Sequence, residues 1–320
     1  MTKYQKPFLS LSEQIDLLRS RGMIITDDAR AKHYLGKINY YRLSAYWHPF
    51  RKREANDKGG TNILDNFQED VSFSNMLDLY VFDKRLRLIA LDALERIEVA
   101  LRTDLTIQLS KKDPLAHRKD QYLHGHFSRK LAYDKTKTTH AKWLDKLDYK
   151  AASSQEDFAT HFRKKYPNEY MPTWVASELW DFGALSYLNE GMLFEDRDAV
   201  AAIYGVPTKK IFQSWVRCLN DVRNNCAHHS RLWNKPHTNQ PIWTKEGEIP
   251  EFDHLIGDTR GQTRMYSALL IMCYMLRVIS PNSTWCLGLL EHLASFPENT
   301  YVSLTNAGFP EGWQEMEVGT

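Results

Sequence analysis

The sequence has few cysteines and no excess of charge of either sign, and each shortage narrows the class of protein. Four cysteines in 320 residues, none in a Cys-x-x-Cys pair, argue against a disulfide framework and against a zinc ribbon. Lys and Arg number 42 against 40 Asp and Glu, so the net charge of +2 neither indicates nor excludes a polyanionic partner. We therefore expect a cytoplasmic protein, in which any nucleic-acid surface arises from local segregation of charge.

Long apolar runs are also missing. No stretch approaches the roughly 20 apolar residues that a membrane-spanning helix needs, and residues 1–7 contain no apolar signal segment. We therefore expect neither secretion nor insertion into a membrane. The composition, 42% hydrophobic and 26% charged, is instead typical of a soluble globular chain that buries one large core or two modest ones.

Gly and Pro are absent between residues 73 and 109, where apolar residues recur every three to five positions. This spacing predicts one long amphipathic helix. Shorter helices are predicted at 10–21, behind a capping box, at 26–35, and at 154–166, 174–190, 209–229 and 261–279. Since no segment alternates apolar and polar residues as a strand does, the predicted fold class is all-α.

The distribution of charge suggests where the chain divides. Residues 51–60, RKREANDKGG, are interpreted as a charged turn or linker that separates an amino-terminal helical region, residues 1–60, from a helical domain of residues 71–290. Within that domain, residues 111–170 are polar and rich in Lys and His, which predicts an insertion of short helices and loops. Residues 291–320 are predicted to form a carboxy-terminal tail.

The segment 211–234 carries the groups with the clearest chemistry. On a helix of about 100° per residue, one narrow stripe holds the apolar side chains and is predicted to face the core; it consists of Trp215, Leu219, Val222, Cys226, His229 and Trp233. Arg223 and His228 lie on the opposite arc, about 140° apart, with Asn224 between them. The helix thus presents a guanidinium, an amide and an imidazole together.

These three groups suit RNA transesterification. An imidazole can move a proton near neutral pH, a guanidinium can hold the scissile phosphate, and an amide can orient either one. One helix offers a single imidazole, whereas attack by the 2′-hydroxyl needs both a base and an acid, so a second copy across a two-fold axis would supply the other. Alternatively, Asn and His simply crowd a helix end, where both are common. On the motif alone, this second interpretation is favoured.

This segment and four further blocks of the sequence together favour the first interpretation, RNA transesterification. Residues 223–234, RNNCAHHSRLWN, closely resemble the carboxy-terminal signature of the Abi-like (AbiD/AbiF) abortive-infection family. Blocks similar to other parts of that family occur in the same order, from about Lys6 onward: KPFLS at 6–10, INYYRLSAY at 38–46, YVFDKRLR and ERIEVALR at 80–87 and 95–102, and PTWV at 172–175 with Phe182-Gly183. Several ordered blocks are far more specific than one short motif.

The resemblance implies a HEPN-type helical bundle with an amino-terminal helical extension and a helical and loop insertion. It also implies a homodimer with paired R-x4-H motifs, and metal-independent RNA cleavage by a toxin of phage defence or toxin-antitoxin pairing, without a cofactor or metal. Arg223 and His228 match the two defining positions, and Asn224 matches the polar position after the Arg. Two alternatives remain: a non-catalytic HEPN protein that binds a small non-coding RNA, and a protein-binding scaffold that binds no RNA.

Three residues are predicted to support the motif. Glu98 and Arg102, at i and i+4 of the long helix, could position Arg223 or a phosphate, although an ordinary intrahelical ion pair is the simpler explanation. His229 would satisfy an R-x5-H spacing, but its place on the core stripe predicts a structural role.

Weaker signals suggest an RNA surface. Basic residues interleave with aromatic ones in the amino-terminal block and between residues 111 and 137, a pattern that can grip phosphates and stack unpaired bases. A solvated surface with a few buried rings explains it equally well. Histidines 117, 124, 126 and 140 have no Cys or carboxylate at a ligand spacing, so no metal site is predicted and they are expected to be exposed. The candidate RNA contacts are Arg42, Arg51, Arg53, Lys130 and Arg231.

Overall fold

The computed structural model describes residues 5, 7–57 and 59–315. Lys6, at the start of the first family-like block, and the last five residues of the predicted tail lie outside the described residues. Helices make up 62% of the structure and the one sheet has two strands, which confirms the predicted all-α class. The helices are α1 (Leu11–Ser20), α2 (Asp28–Ile38), α3 (Tyr40–Trp47), α4 (Phe73–Ser110), α5 (Gly125–Ser128), α6 (Thr139–Ser153), α7 (Asp157–Lys165), α8 (Thr173–Ala176), α9 (Phe182–Gly191), α10 (Phe194–Ile203), α11 (Lys209–Ala227), α12 (Thr259–Gln262), α13 (Met265–Ile279) and α14 (Trp285–Ala294).

The long helix predicted at 73–109 is α4, which matches to within one residue. Its N-cap is Ser72, whose hydroxyl accepts from the Asn75 N–H at 3.2 Å while the Asn75 side chain accepts from the Ser72 N–H at 2.8 Å. At a rise of 1.5 Å per residue the helix is about 57 Å long. Helices α3, α9, α11 and α13 all pack against it, so α4 is the axis on which the other helices are placed.

The interpretation of residues 51–60 as a charged turn or linker is wrong for residues 51–55, whereas the chain does turn between Asn56 and Gly60, where the Asn56 N–H donates to the Gly60 carbonyl at 2.9 Å. Residues 51–55 form strand β1 (Arg51–Ala55), which pairs antiparallel with β2 (Thr61–Phe67) and is irregular between Arg51 and Arg53. Apolar and polar residues do not alternate here because both strands are polar and largely exposed, and only Phe67 is buried. Cross-strand hydrogen bonds therefore form the hairpin without the hydrophobic signal that usually marks a strand.

One cluster of buried side chains runs from Ile15 in α1 to Trp313 near the carboxyl end. It includes residues of the amino-terminal region, and also Leu293, Val302 and Phe309 from the segment after residue 290. Trp143 and Leu147 of α6 extend it into the predicted insertion. All three segments therefore pack on the same core as the helical body.

Two predicted helices are interrupted. Residues 174–190 divide into α8, a 3-10 turn and α9, because Asp181 caps α9 by accepting from the Ala184 N–H at 2.8 Å. Residues 261–279 similarly divide between α12 and α13. In the described part of the chain, no helix is long and apolar enough to cross a membrane.

Candidate functional site

Helix α11 carries the predicted motif. Thr208 caps its first turn by accepting from the Ile211 N–H at 3.2 Å, and the predicted core stripe is buried at Trp215, Leu219, Val222 and Cys226. Burial raises the pKa of the Cys226 thiol to about 12, with the nearby Asp83 carboxylate acting in the same direction. The stripe fixes the helix on α4 and leaves the opposite arc for polar groups.

The helix ends earlier than the apolar spacing predicts. His228 is the C-cap and His229 has a φ of 57°, in the left-handed region. The Ser230 N–H donates to the Asn225 carbonyl at 2.8 Å and the His229 N–H to the Cys226 carbonyl at 3.0 Å, which is a Schellman motif. His229 is therefore exposed, and its predicted place on the core stripe is wrong. The periodicity of apolar residues does not predict where a residue other than glycine adopts the left-handed conformation and ends a helix.

A buried carboxylate holds the chain that follows this turn. Asp83 of α4, fully buried, accepts from the backbone N–H of Leu232 at 3.1 Å and of Trp233 at 2.6 Å. It also pairs with Arg87 and accepts from the Tyr46 hydroxyl at 2.6 Å. Burial raises the pKa of Asp83, and Arg87 and these donors oppose that shift. Three of the family-like blocks, 38–46, 80–87 and 223–234, thus meet at one buried ionic cluster.

Asp83, Arg87 and Tyr46 were missed by the sequence analysis. The signal was present, since Asp83 and Arg87 lie beside Phe82 and Leu86 on the buried side of α4, where charged residues are rare unless paired. A charge among apolar positions on a core-facing helix indicates a buried polar partner, here the backbone of residues 232 and 233.

Two arginines predicted to contact RNA, Arg42 and Arg231, join this turn to α3. Arg42 donates to the carbonyl of His229, and Arg231 donates to the carbonyl of Ala45 in α3. Burial lowers the pKa of Arg231, with the Asp83 carboxylate opposing. Arg42 remains exposed, whereas Arg231 serves chiefly to join the end of the motif to the amino-terminal helices.

Arg223 lies against α4 on another face of α11. Its Nε is 3.7 Å from Oε2 of Glu98, whose Oε1 lies 3.2 Å from Nη2 of Arg102. Arg102 also donates to the carbonyl of Trp180 at 2.9 Å. The structure thus brings Glu98, Arg102 and Arg223 together: the expected intrahelical ion pair is present, and its carboxylate also faces the motif arginine.

The electrostatics at this junction are those of a half-buried carboxylate between two guanidinium groups. Burial raises the pKa of Glu98, while Arg223 and then Arg102 oppose the shift. Burial would also raise the pKa of the neighbouring Asp181, but hydrogen bonds from Lys150 and the Ala184 N–H, with the charges of Lys150 and Arg223, lower it overall. Arg223 keeps a third of its side chain exposed, so a phosphate can still reach it.

His228 is exposed at the end of α11, and its backbone N–H donates to the Asn224 carbonyl at 2.9 Å. The Asn224 amide oxygen lies 3.4 Å from Nη1 of Arg223. Among the described residues, no hydrogen bond or ion pair joins the side chains of Arg223 and His228. Within one chain, the motif therefore presents a guanidinium on one side and an imidazole at the tip.

Two of the remaining candidates, Arg51 and Arg53, lie near Arg231 of the motif turn: burial lowers the pKa of His48, and the charges of Arg51, Arg231 and Arg53 lower it further. Arg51 also pairs with Asp65 at 3.2 Å, and Lys130 is exposed. Many basic residues of the insertion are already paired, as in the two hydrogen bonds of 2.7 and 2.9 Å from Arg118 to Asp148. These basic groups are therefore less available to a phosphate than the sequence pattern indicates.

The expectation of exposed histidines is wrong for His117 and His140. Both are buried: Nδ1 of His117 lies 2.9 Å from the Thr173 hydroxyl, and Nε2 of His140 lies 2.8 Å from the His117 carbonyl. Burial lowers the pKa of His117 to about 3. In the described part of the chain, no three His, Cys, Asp or Glu side chains lie close enough together to hold a metal ion.

Comparison with known proteins gives one match. The model of a family described as "Abi-like protein" matches residues 33–234, which is more than half of the chain and ends at the last residue of the motif segment. No curated protein matches the chain, and no solved structure does.

Proposed function

The chain belongs to the Abi-like protein family, and from that premise we propose that it is a metal-independent RNA endonuclease of the HEPN type that acts in phage defence. The family suggests a role in abortive infection. The reaction would take place in the cytoplasm, which suits four cysteines that remain free thiols.

The observation that carries the proposal is the rigid presentation of the motif. A buried carboxylate, two arginine contacts to backbone carbonyls and a Schellman turn hold the end of α11. The side chain at that end, His228, is nevertheless exposed. Buried ionic groups are costly to keep, so their use around one exposed turn favours a role for that turn beyond stability.

The chemistry follows from the groups present. The 2′-hydroxyl of the substrate attacks the adjacent phosphorus and the 5′-oxygen leaves, so one proton must be removed and another supplied. His228 would transfer one proton and His228 of a second protomer the other. Arg223 would stabilise the negative charge of the phosphorane. Asn224 would orient the Arg223 and His228 side chains. Glu98 and Arg102 would act as positioning residues by fixing Arg223.

The two carboxylates near Arg223 already have partners, and this favours chemistry without a metal ion. Glu98 lies between Arg223 and Arg102, and Asp181 pairs with Lys150 and caps α9. Both carboxylates already have cationic or N–H partners, whereas metal-dependent nucleases keep such groups free to coordinate the ion.

One observation favours the alternative, a non-catalytic protein that holds a small non-coding RNA. In the described residues no side chain hydrogen-bonds to the imidazole of His228, and general bases are usually oriented by such a partner. An exposed imidazole and arginine could then serve only as contacts to RNA.

Incubating the purified protein with single-stranded RNA in excess EDTA separates the two. Cleavage by the wild type, its loss in His228→Ala and its retention in His229→Ala would support the nuclease. A tightly bound RNA that co-purifies with the protein, unchanged after incubation, would support the alternative instead.

A further inference from the structure

A cleft of about 460 Å³ lies between α6 and α9 and is lined in part by Asp181, the carboxylate whose pKa Arg223 helps to lower. Its floor is apolar and rigid: Trp143 is buried and its Nε1 donates to the Ala184 carbonyl at 3.0 Å, and Leu147 is buried beside it. Its volume falls in the range of small-ligand sites. It is therefore a preformed cavity wide enough for a planar ring.

Two tyrosines stand at the mouth of the cleft. Tyr133 is fully exposed and Tyr187 is 55% exposed, and both line the cleft beside its apolar floor. Exposed aromatic rings beside an apolar cavity offer faces on which a further ring can stack. On this part of the surface the protein leaves its aromatic side chains available.

Lysines follow one edge of the cleft. Lys142, Lys146 and Lys150 occupy positions i, i+4 and i+8 of α6, so they form a row along the helix. Lys142 pairs with Asp134 and Lys150 with Asp181, while Lys146 is exposed and forms no ion pair with a described residue. The row ends at Asp181, whose pKa Arg223 helps to lower.

We propose that this cleft binds an unpaired nucleotide of the RNA substrate, with the base stacked on Tyr187 or Tyr133 and the backbone phosphate at Lys146. Stacking on aromatic faces together with phosphate contacts to lysine is the general chemistry of single-strand binding. A duplex would not enter, because its bases are already paired and stacked. Lys150 pairs with Asp181, and Asp181 lies close enough to Arg223 for the charge of Arg223 to lower its pKa. An RNA strand bound in the cleft would therefore extend toward the motif. This inference rests on the proposed function.

The test is fluorescence anisotropy with a fluorescein-labelled single-stranded oligouridine and a length-matched RNA duplex, using the His228→Ala protein so that no probe is cut. Replacing both tyrosines by Leu should weaken oligouridine binding about tenfold, whereas Tyr187→Phe should bind like the parent because it keeps a ring to stack on. Lys146→Glu should weaken binding and reduce its dependence on salt.

Matched controls are exposed residues of the same types that do not line the cleft. Tyr149 is 75% exposed on α6 but lies outside the cleft, and Lys164 is exposed on α7. Tyr149→Leu and Lys164→Glu should leave binding unchanged. RNA carrying 5-iodouridine should photocrosslink to Tyr187 or Tyr133.

Binding equal to the parent by the double tyrosine-to-leucine variant and by Lys146→Glu, equal binding of duplex and single strand, or crosslinks confined to other residues would overturn the cleft as the site. If oligouridine binding falls as expected but the protein with His228 intact cuts no RNA, the cleft stands and the nuclease function fails. If RNA is cut and the cleft variants bind and cut normally, the nuclease stands and the cleft fails.

Discussion

At the residue scale, two adjacent histidines have different conformations and different expected roles. His228 ends α11 with a φ of −89°, whereas His229 turns the chain with a φ of 57°, and the His229 carbonyl accepts a hydrogen bond from Arg42. Both side chains are exposed. Removing either side chain therefore leaves no cavity. A substitution of His228 should affect the chemistry, whereas a substitution of His229 should affect the backbone strain.

We predict that His228→Ala abolishes RNA cleavage without loss of stability, and that His229→Gly retains cleavage with a gain in stability. Glycine removes the cost of holding a side chain in the left-handed region, so the free energy of unfolding should rise by roughly 1 kcal/mol. Urea unfolding and a cleavage assay on both variants check this. Retained cleavage in a folded His228→Ala protein, with loss in His229→Gly, would transfer the catalytic role to His229.

Glu98 makes a prediction about pH. Burial raises its pKa above the ordinary value of 4.5 in the folded protein. A carboxyl with a higher pKa folded than unfolded stabilises most when protonated, and this contribution is lost as the pH rises through the folded value. From pH 4.5 upward, the wild type should therefore lose stability relative to Glu98→Gln. Urea unfolding of both proteins across that range measures it, and a difference that stays constant or grows in favour of the wild type would contradict it.

At the scale of elements, the critical contact is between α4 and the chain that leaves α11. Asp83 is bound to Arg87, to the Tyr46 hydroxyl and to two backbone N–H groups, all in the buried interior. The motif helix and the long helix are therefore joined by polar contacts as well as by the apolar stripe. Such a junction fixes the chain that leaves α11 relative to α4.

Asp83→Ala should reduce the free energy of unfolding by roughly 3–5 kcal/mol, because Arg87 would remain charged and buried without its partner. The double variant Asp83→Leu/Arg87→Leu should lose less, since neither charge remains. Chemical denaturation of both variants makes the comparison. A single variant as stable as the wild type, or a double variant clearly less stable than the single one, would show that the cluster does not hold the turn.

The same elements show what could be predicted from the sequence. The bounds of α4 and the burial of Trp215, Leu219 and Val222 follow from periodicity, because a core-facing helix must place apolar residues on one side. The β1–β2 hairpin and the turn at His229 could not be predicted in this way, since backbone hydrogen bonds and a left-handed residue determine them. The proximity of Glu98 to Arg223 was anticipated as a possibility, whereas the role of Asp83 depends on tertiary contact with a segment about 150 residues away.

At the scale of the whole molecule, the proposed mechanism requires two chains. Only one imidazole of each chain, that of His228, occupies the histidine position of the R-x4-H motif, while the proposed reaction needs a base and an acid. We therefore expect a homodimer by light scattering, with the ends of the two α11 helices near each other. A heterodimer of one wild-type and one His228→Ala chain should have far less than half of the wild-type activity. Half activity, or cleavage by a monomer, would mean that each chain carries a complete site.

The most direct test of the central claim is the fate of an RNA with a single 2′-deoxyribose at a mapped cleavage site. If Arg223 and His228 promote attack by the 2′-hydroxyl, the unmodified RNA should be cut in excess EDTA to a 2′,3′-cyclic phosphate and a 5′-hydroxyl. The modified RNA should remain intact at that bond, because the nucleophile is missing. Cleavage of the modified RNA at the same bond, or loss of all cleavage in EDTA, would contradict the roles proposed for both residues.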